Sequence, residues 1–154
     1  MVKAPNETMN KISLKGISAG ILVSLILGIP VNIIFSVYFV ETYNEITSNI
    51  DLSDENVVHK IDRVLMYHPL SIAFLIAKIL ITVGIPAYIA ALVADKAYIL
   101  NAVILGSVVL LFLAFDFETV IQDPFLFAVL AIFLLVVACL SGLLRYKQVT
   151  KSTV

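Results

Sequence analysis

Lys15–Val40 reads KGISAGILVSLILGIPVNIIFSVYFV, and from Ile17 to Val40 it holds no charged side chain. A helix needs about 20 apolar residues to cross a hydrocarbon core of about 30 Å, so this stretch is long enough to be a membrane span. Inside it Gly16, Gly20, Ser24, Gly28, Asn32 and Ser36 recur every four residues. That interval slightly exceeds the helical turn of about 3.6 residues, so the small side chains form a stripe that drifts slowly round the helix and lets a second backbone come close. These six positions are the expected helix-packing face. Pro30 has no N–H and clashes one turn back, which predicts a kink near Leu27.

The remaining composition points to the same solvent. Of 154 residues, 61% are hydrophobic and 14% charged, against roughly 45–50% and 25% in soluble domains. Cys139 is the single cysteine, which excludes an intramolecular disulfide and dithiol redox chemistry. A net charge of −1 gives no electrostatic footprint for nucleic acid.

Three more apolar segments follow, at Pro69–Ala94, Ala97–Phe115 and Pro124–Leu144. The expected fold class is therefore an all-α integral membrane protein. It is a four-transmembrane-helix bundle in a single domain, 1–154, with spans at about 16–40, 69–94, 97–115 and 124–144. Proline opens the second and fourth spans, where the first-turn amide has no intrahelical partner anyway. Asp95-Lys96 leaves only a tight turn between the second and third spans, which makes them antiparallel neighbours. Ala138 and Gly142 give the fourth span a small-residue pair for close packing.

The extracytoplasmic loop 41–68 is acidic. Within it Ser53 can cap a helix whose first turn holds Asp54 and Glu55. Val57, Val58, Ile61, Val64 and Leu65 then share one face, so a short amphipathic helix is expected along the membrane surface. His59, Lys60, Asp62 and Arg63 form its solvated face. His59 and His68 lack a metal-ligand spacing, and no metal or cofactor is expected. At the other end, Met1–Leu14 is polar, but the apolar run after it exceeds the roughly 7–15 residues of a signal h-region, so it reads as an uncleaved first span.

Lys3, Lys11, Lys15, Lys96, Arg145, Lys147 and Lys151 fall on the side of the two termini, and only Lys60 and Arg63 on the other. Segments rich in Lys and Arg stay cytoplasmic, which places both termini inside.

Gly84–Gly106, GIPAYIAALVADKAYILNAVILG, resembles a pattern of small uncharacterised four-span proteins of bacterial membranes. Gly84, Tyr88, Ala90, Asp95, Lys96, Asn101 and Gly106 carry the likeness: a Tyr-x-Ala element runs into a charged turn, and the next span opens with a polar residue and then a glycine. Pro86 stands where the pattern has a small residue. The resemblance implies the bacterial cytoplasmic (inner) membrane and no assigned activity.

Lys78 lies nine residues into the second span, about 13 Å along it and so near the bilayer midplane. A lysine there costs about 2.5–3.5 kcal/mol on the insertion scale and should face protein or water. Ser71, Thr82 and Pro86 continue its face, and Asn32 of the first span lies at a comparable depth as a hydrogen-bond acceptor. Lys78, Thr82, Asn32 and Ser71 are the candidate binding residues. Two readings stay open: a binding or permeation site for an anionic group, and a lysine that snorkels outward along Ser71. No span contains an acid or a histidine, so no catalytic pair is available and an enzyme is not expected. The leading expectation is a non-enzymatic membrane component, surrounded by the lipid bilayer and acting by helix-helix association with itself or another membrane protein. A small oligomeric transporter or channel using Lys78 is the alternative. No nucleic acid is expected as a partner.

Overall fold

A polar residue with extended backbone ahead of an apolar run starts a helix. Ser13 does so here: at φ −99° and ψ 97° its hydroxyl accepts from the Gly16 N–H at 3.1 Å, and α1 runs Leu14–Thr47. The computed structural model describes residues 12–48, 61, 64, 68–94, 96–116 and 124–151, and helix is the regular structure found among them. α1 is continuous across Pro30 and passes the expected end of the span by seven residues, to Thr47. Thr42 and Thr47 turn their hydroxyls back onto the carbonyls of Tyr38 and Tyr43, each at 2.8 Å, so neither leaves a polar group facing outward.

The second apolar segment is one rod in three parts: α2 (Pro69–Ile79), a single π-helical turn (Leu80–Gly84) and α3 (Ile85–Val93). After a short turn come α4 (Tyr98–Asp116) and then α5 (Pro124–Lys151). α5 extends past the expected Leu144 through Arg145–Lys151. Tyr88 donates to Gln148 Oε1 at 2.7 Å, and the Arg145 guanidinium lies 5.9 Å from the Tyr98 ring, which ties the extension to its neighbours. Leu14–Thr47, Pro69–Val93 and Phe127–Lys151 are long and apolar enough to cross a membrane, and Tyr98–Phe112 is a shorter apolar helix. The amphipathic helix expected after Ser53 lies outside the described residues except for Ile61 and Val64. Both of those are helical; Ile61 is buried and Val64 exposed.

α3 is the hub, touching α1, α4 and α5. Its Ala87, Ala90 and Ala91 are wholly buried, packed with Leu105 of α4 and Leu134 of α5. Small side chains are what allow three helices to crowd a fourth. α4 and α5 use the same device. A Cβ at Gly106 would stand 2.7 Å from Ala138 Cβ, and one at Gly142 would stand 2.7 Å from Ile99 Cα.

The start of α1 is pinned to the start of α4 by Asn101, which is 0% exposed. Its Nδ2 donates to the carbonyls of Lys96 (3.1 Å) and Ala97 (3.0 Å), and its Oδ1 accepts from the Ser13 N–H at 2.7 Å. The chain turns sharply there because Ala97 adopts φ 54°. Among the described residues, Lys15, Lys96, Arg145, Lys147 and Lys151 therefore gather at one end of the bundle, and Glu41, Glu45 and Asp116 lie at the other.

The stripe on α1 divides. A Cβ at Gly20 would meet Leu105 Cδ2 at 2.7 Å and the Pro86 carbonyl oxygen at 2.9 Å, whereas one at Gly28 would meet nothing within 4 Å. Gly20→Leu should therefore lower the thermal aggregation midpoint in detergent by an amount equivalent to about 1–3 kcal/mol of overpacking, while Gly28→Leu leaves it unchanged. Equal shifts for the two variants would contradict this packing.

Candidate functional site

The seam between α1 and the second apolar segment is antiparallel, and each four-residue step on α1 is answered by a four-residue step back on its partner. At Gly16 an added Cβ would stand 2.6 Å from the Ala90 carbonyl oxygen, and at Gly20 it would stand 2.9 Å from that of Pro86. One turn further, Ser24 Oγ donates to the Thr82 carbonyl oxygen at 2.8 Å. This bond has a specific cause. Pro86 sits four residues after Thr82 and has no N–H to offer that carbonyl. In apolar surroundings an unmet carbonyl is costly, and serine hydroxyls from a neighbouring helix are one of the ways such groups are satisfied.

The next step would pair Gly28 with Lys78, and there the seam opens, since nothing stands within 4 Å of a Cβ at Gly28. Beyond this point long side chains bridge the gap. Lys78 Nζ lies 4.5 Å from the centroid of the Phe35 ring, a cation–π contact. Tyr38 stacks on Phe74 with centroids 4.4 Å apart and planes at 27°, and Phe39 packs on Phe35 at 4.6 Å. The direction of Lys78 follows from helix geometry. Side chains lean toward the helix N-terminus, here the Pro69 end, which carries the ammonium to Phe35.

The expected site residues take different places. Lys78 is half-buried on this seam. Thr82 turns its hydroxyl onto the Lys78 carbonyl of its own helix at 2.8 Å, so its contribution across the seam is its carbonyl oxygen. Ser71 is only 3% exposed and its Oγ has no hydrogen-bond partner; the buried Tyr38 Oη has none either. Asn32 is exposed and makes no hydrogen bond to Lys78, which lies over Phe35 instead. Of the packing stripe, Gly16, Gly20 and Ser24 lie in the seam, Gly28 borders open space, and Asn32 and Ser36 are exposed. The aromatic rungs Phe35, Tyr38 and Phe74 escaped the sequence reading. Their signal was available in the spacing: Phe35 and Tyr38 are three apart on one helix, and Phe74 and Lys78 four apart on the other, so each pair shares a face.

Chemically the seam offers one ammonium, two unpartnered hydroxyls and aromatic faces. The half-buried ammonium can meet a hydrogen-bond acceptor or an anion, whereas both hydroxyl oxygens are buried. On the other side of α1, Ile21, Ser24, Leu25, Val108, Val109 and Phe112 line an apolar groove of ≈ 130 Å³ facing α4. The Ser24 hydroxyl is already committed to Thr82, so this groove suits an apolar chain.

Comparison of the chain with protein families, curated proteins and solved structures finds no match.

The hydrogen bond from Ser24 can be isolated by a double-mutant cycle. Ser24→Ala should cost about 1 kcal/mol in a mild-detergent denaturation titration, because it strands the Thr82 carbonyl. In a Pro86→Ala background, where the backbone regains its own donor, the same change should cost close to nothing. Equal costs in the two backgrounds would mean that the serine does not stand in for the missing amide.

Proposed function

We propose that this chain is a non-enzymatic, multi-pass membrane component that acts by helix-helix association with itself or another membrane protein. The observation that carries the reading is Asn32. It sits mid-span in α1, exposed, with no hydrogen-bond partner among the described residues and with Gly28 and Ser36 one turn to either side. A carboxamide facing lipid alone leaves strong donors and an acceptor unmet, whereas across a helix pair it forms an interhelical hydrogen bond. Small neighbours on the same line allow the backbones to approach closely enough for that bond. In all of α1 only Gly16, Ile17 and Gly20 are buried by the rest of the chain, so most of its surface is available to a partner.

In this reading the chain has four spans, the fourth supplied by the shorter α4, at 19 residues about 28 Å long and close to the hydrocarbon thickness. Both termini are cytoplasmic, as the gathering of Lys15, Lys96, Arg145, Lys147 and Lys151 at one end favours. The bacterial cytoplasmic membrane is the location that the resemblance implies. The alternative, a small oligomeric transporter or channel, draws on Lys78 alone.

Orientation is tested by cysteine accessibility on a Cys139→Ser background. Ser48→Cys should react with an impermeant maleimide in intact cells, and Thr150→Cys only after permeabilisation. Reaction of Thr150→Cys in intact cells reverses the topology.

Association is tested by single-molecule co-localisation of the full chain in native-membrane nanodiscs. Asn32→Leu should reduce the fraction found in complexes by about tenfold in apparent affinity, while its thermal stability in detergent stays that of the wild type because Asn32 is exposed and makes no hydrogen bond to the described residues. A wild-type chain that is monomeric in those nanodiscs, or an Asn32→Leu chain as associated as the wild type, overturns the reading.

A further inference from the structure

We propose that the open part of the seam, around Lys78, receives a transmembrane helix of a different protein that carries a carboxylate at the same depth. This inference rests on the association reading above and names the chemistry of the partner.

An ammonium has three N–H donors. At Lys78 the ring of Phe35 meets it electrostatically on one side, 4.5 Å away, and no oxygen atom among the described residues accepts a hydrogen bond from it. Glu41, six residues beyond Phe35 on α1, is exposed and forms no ion pair with it. Such a cation has no counter-charge among the described residues, and intramembrane charges ordinarily pair with one another or with carbonyl groups.

The sequence then restricts where the counter-charge comes from. Ile17–Val40, Pro69–Ala94, Ala97–Phe115 and Pro124–Leu144 contain no Asp or Glu. A second copy of this chain therefore has no carboxylate to offer at that depth, and two copies meeting on this face would oppose two lysines. A lipid phosphate lies at the headgroup level. The ammonium is instead held at Phe35, about 9 Å along the helix short of Glu41.

Access and shape agree with a helix as the occupant. The backbones separate at Gly28, where a Cβ would have open space, and Asn32 and Ser36 are exposed on the same flank. A helix laid there meets a small-residue line, the Asn32 amide and the Lys78 ammonium within about two turns.

The test uses a synthetic Leu/Ala transmembrane helix with a single central Asp, beside the same helix with Leu in its place. Each is reconstituted with the fluorescently labelled full-length chain in phosphatidylcholine vesicles, and association is read by energy transfer. The wild type should bind the Asp helix about tenfold more tightly than the Leu helix, the scale of an interhelical polar contact. Lys78→Met should bring the Asp helix down to the Leu level, and Lys78→Arg, which keeps the charge, should retain most of the preference. Equal binding of the two helices by the wild type, survival of the preference in Lys78→Met, or its loss in both variants overturns the proposal. So does a Lys78-dependent enrichment of phosphatidylglycerol around a chain that ignores the Asp helix, since the lysine then serves a lipid. Any of these results alongside intact, Asn32-dependent association removes this proposal alone; absence of association in both experiments removes the reading beneath it as well.

Discussion

The hydroxyl of Ser24 reaches from α1 to the carbonyl oxygen of Thr82, 2.8 Å away, a group whose α-helical donor position is taken by Pro86, which has no N–H. Hydrocarbon offers no water to repair such a vacancy, so an interrupted membrane helix needs a neighbour to complete its hydrogen bonds. A serine side chain is short. It reaches a main-chain carbonyl on another helix only if the backbones nearly touch, and Gly16 and Gly20 on the preceding turns are what permit that distance. The glycines, the serine and the proline thus form one arrangement. The π-helical turn Leu80–Gly84 contains Thr82 and ends two residues before Pro86. Asn101 meets the same constraint at the bundle's end, where one buried amide serves two carbonyls of a tight turn and the N–H of Ser13, the residue that caps α1.

From this packing follows the uneven use of α1. Between Gly16 and Ser24 it belongs to the bundle; beyond Gly28 it meets the second segment through rings and a lysine. Two helices held close at one end and spaced by aromatic side chains at the other make a wedge. A wedge of this kind presents polar groups, Lys78 and Asn32, that a fully closed pair would have satisfied internally. On the proposed reading, stability and association therefore sit on different turns of one helix, and substitutions can separate them.

Much of this was legible beforehand. Helices and their apolar lengths follow from unbroken runs such as Ile17–Val40, because a continuous apolar run of that length satisfies its backbone in lipid as a helix. The four-residue stripe and the pair Ala138 and Gly142 were readable as close-packing positions. The point where the stripe stops serving the bundle was hidden, since Gly28 looks the same as Gly20 in sequence and differs only in what lies opposite: Pro86 and Ala90 for one, open space for the other. The partner of Lys78 was hidden for a related reason. Asn32 was the reasonable acceptor on polarity and depth, but the lean of the lysine side chain delivers its ammonium to Phe35. Asn101 stood out only as a polar point, because its role depends on Ser13, 88 residues away in the chain. The ends of α1 and α5 overran the expected spans because helices do not stop where hydrocarbon does; hydroxyls folded onto carbonyls and the Tyr88–Gln148 bond sustain the extra turns.

Lys78 raises a question of energy as well as geometry: whether the chain needs a partner in order to insert at all. Across Pro69–Ala94 there are thirteen Leu, Ile, Phe and Val residues. At about −0.3 to −0.6 kcal/mol each they supply about −4 to −8 kcal/mol toward insertion, against about +2.5 to +3.5 kcal/mol for one central lysine. On this scale the apolar residues outweigh an unpaired lysine, and the Phe35 ring lowers the remaining penalty further. Insertion and recognition are consequently separable. In the proposed reading the apolar residues around the cation carry it into the membrane, and its hydrogen-bonding capacity is left for a partner at the open seam.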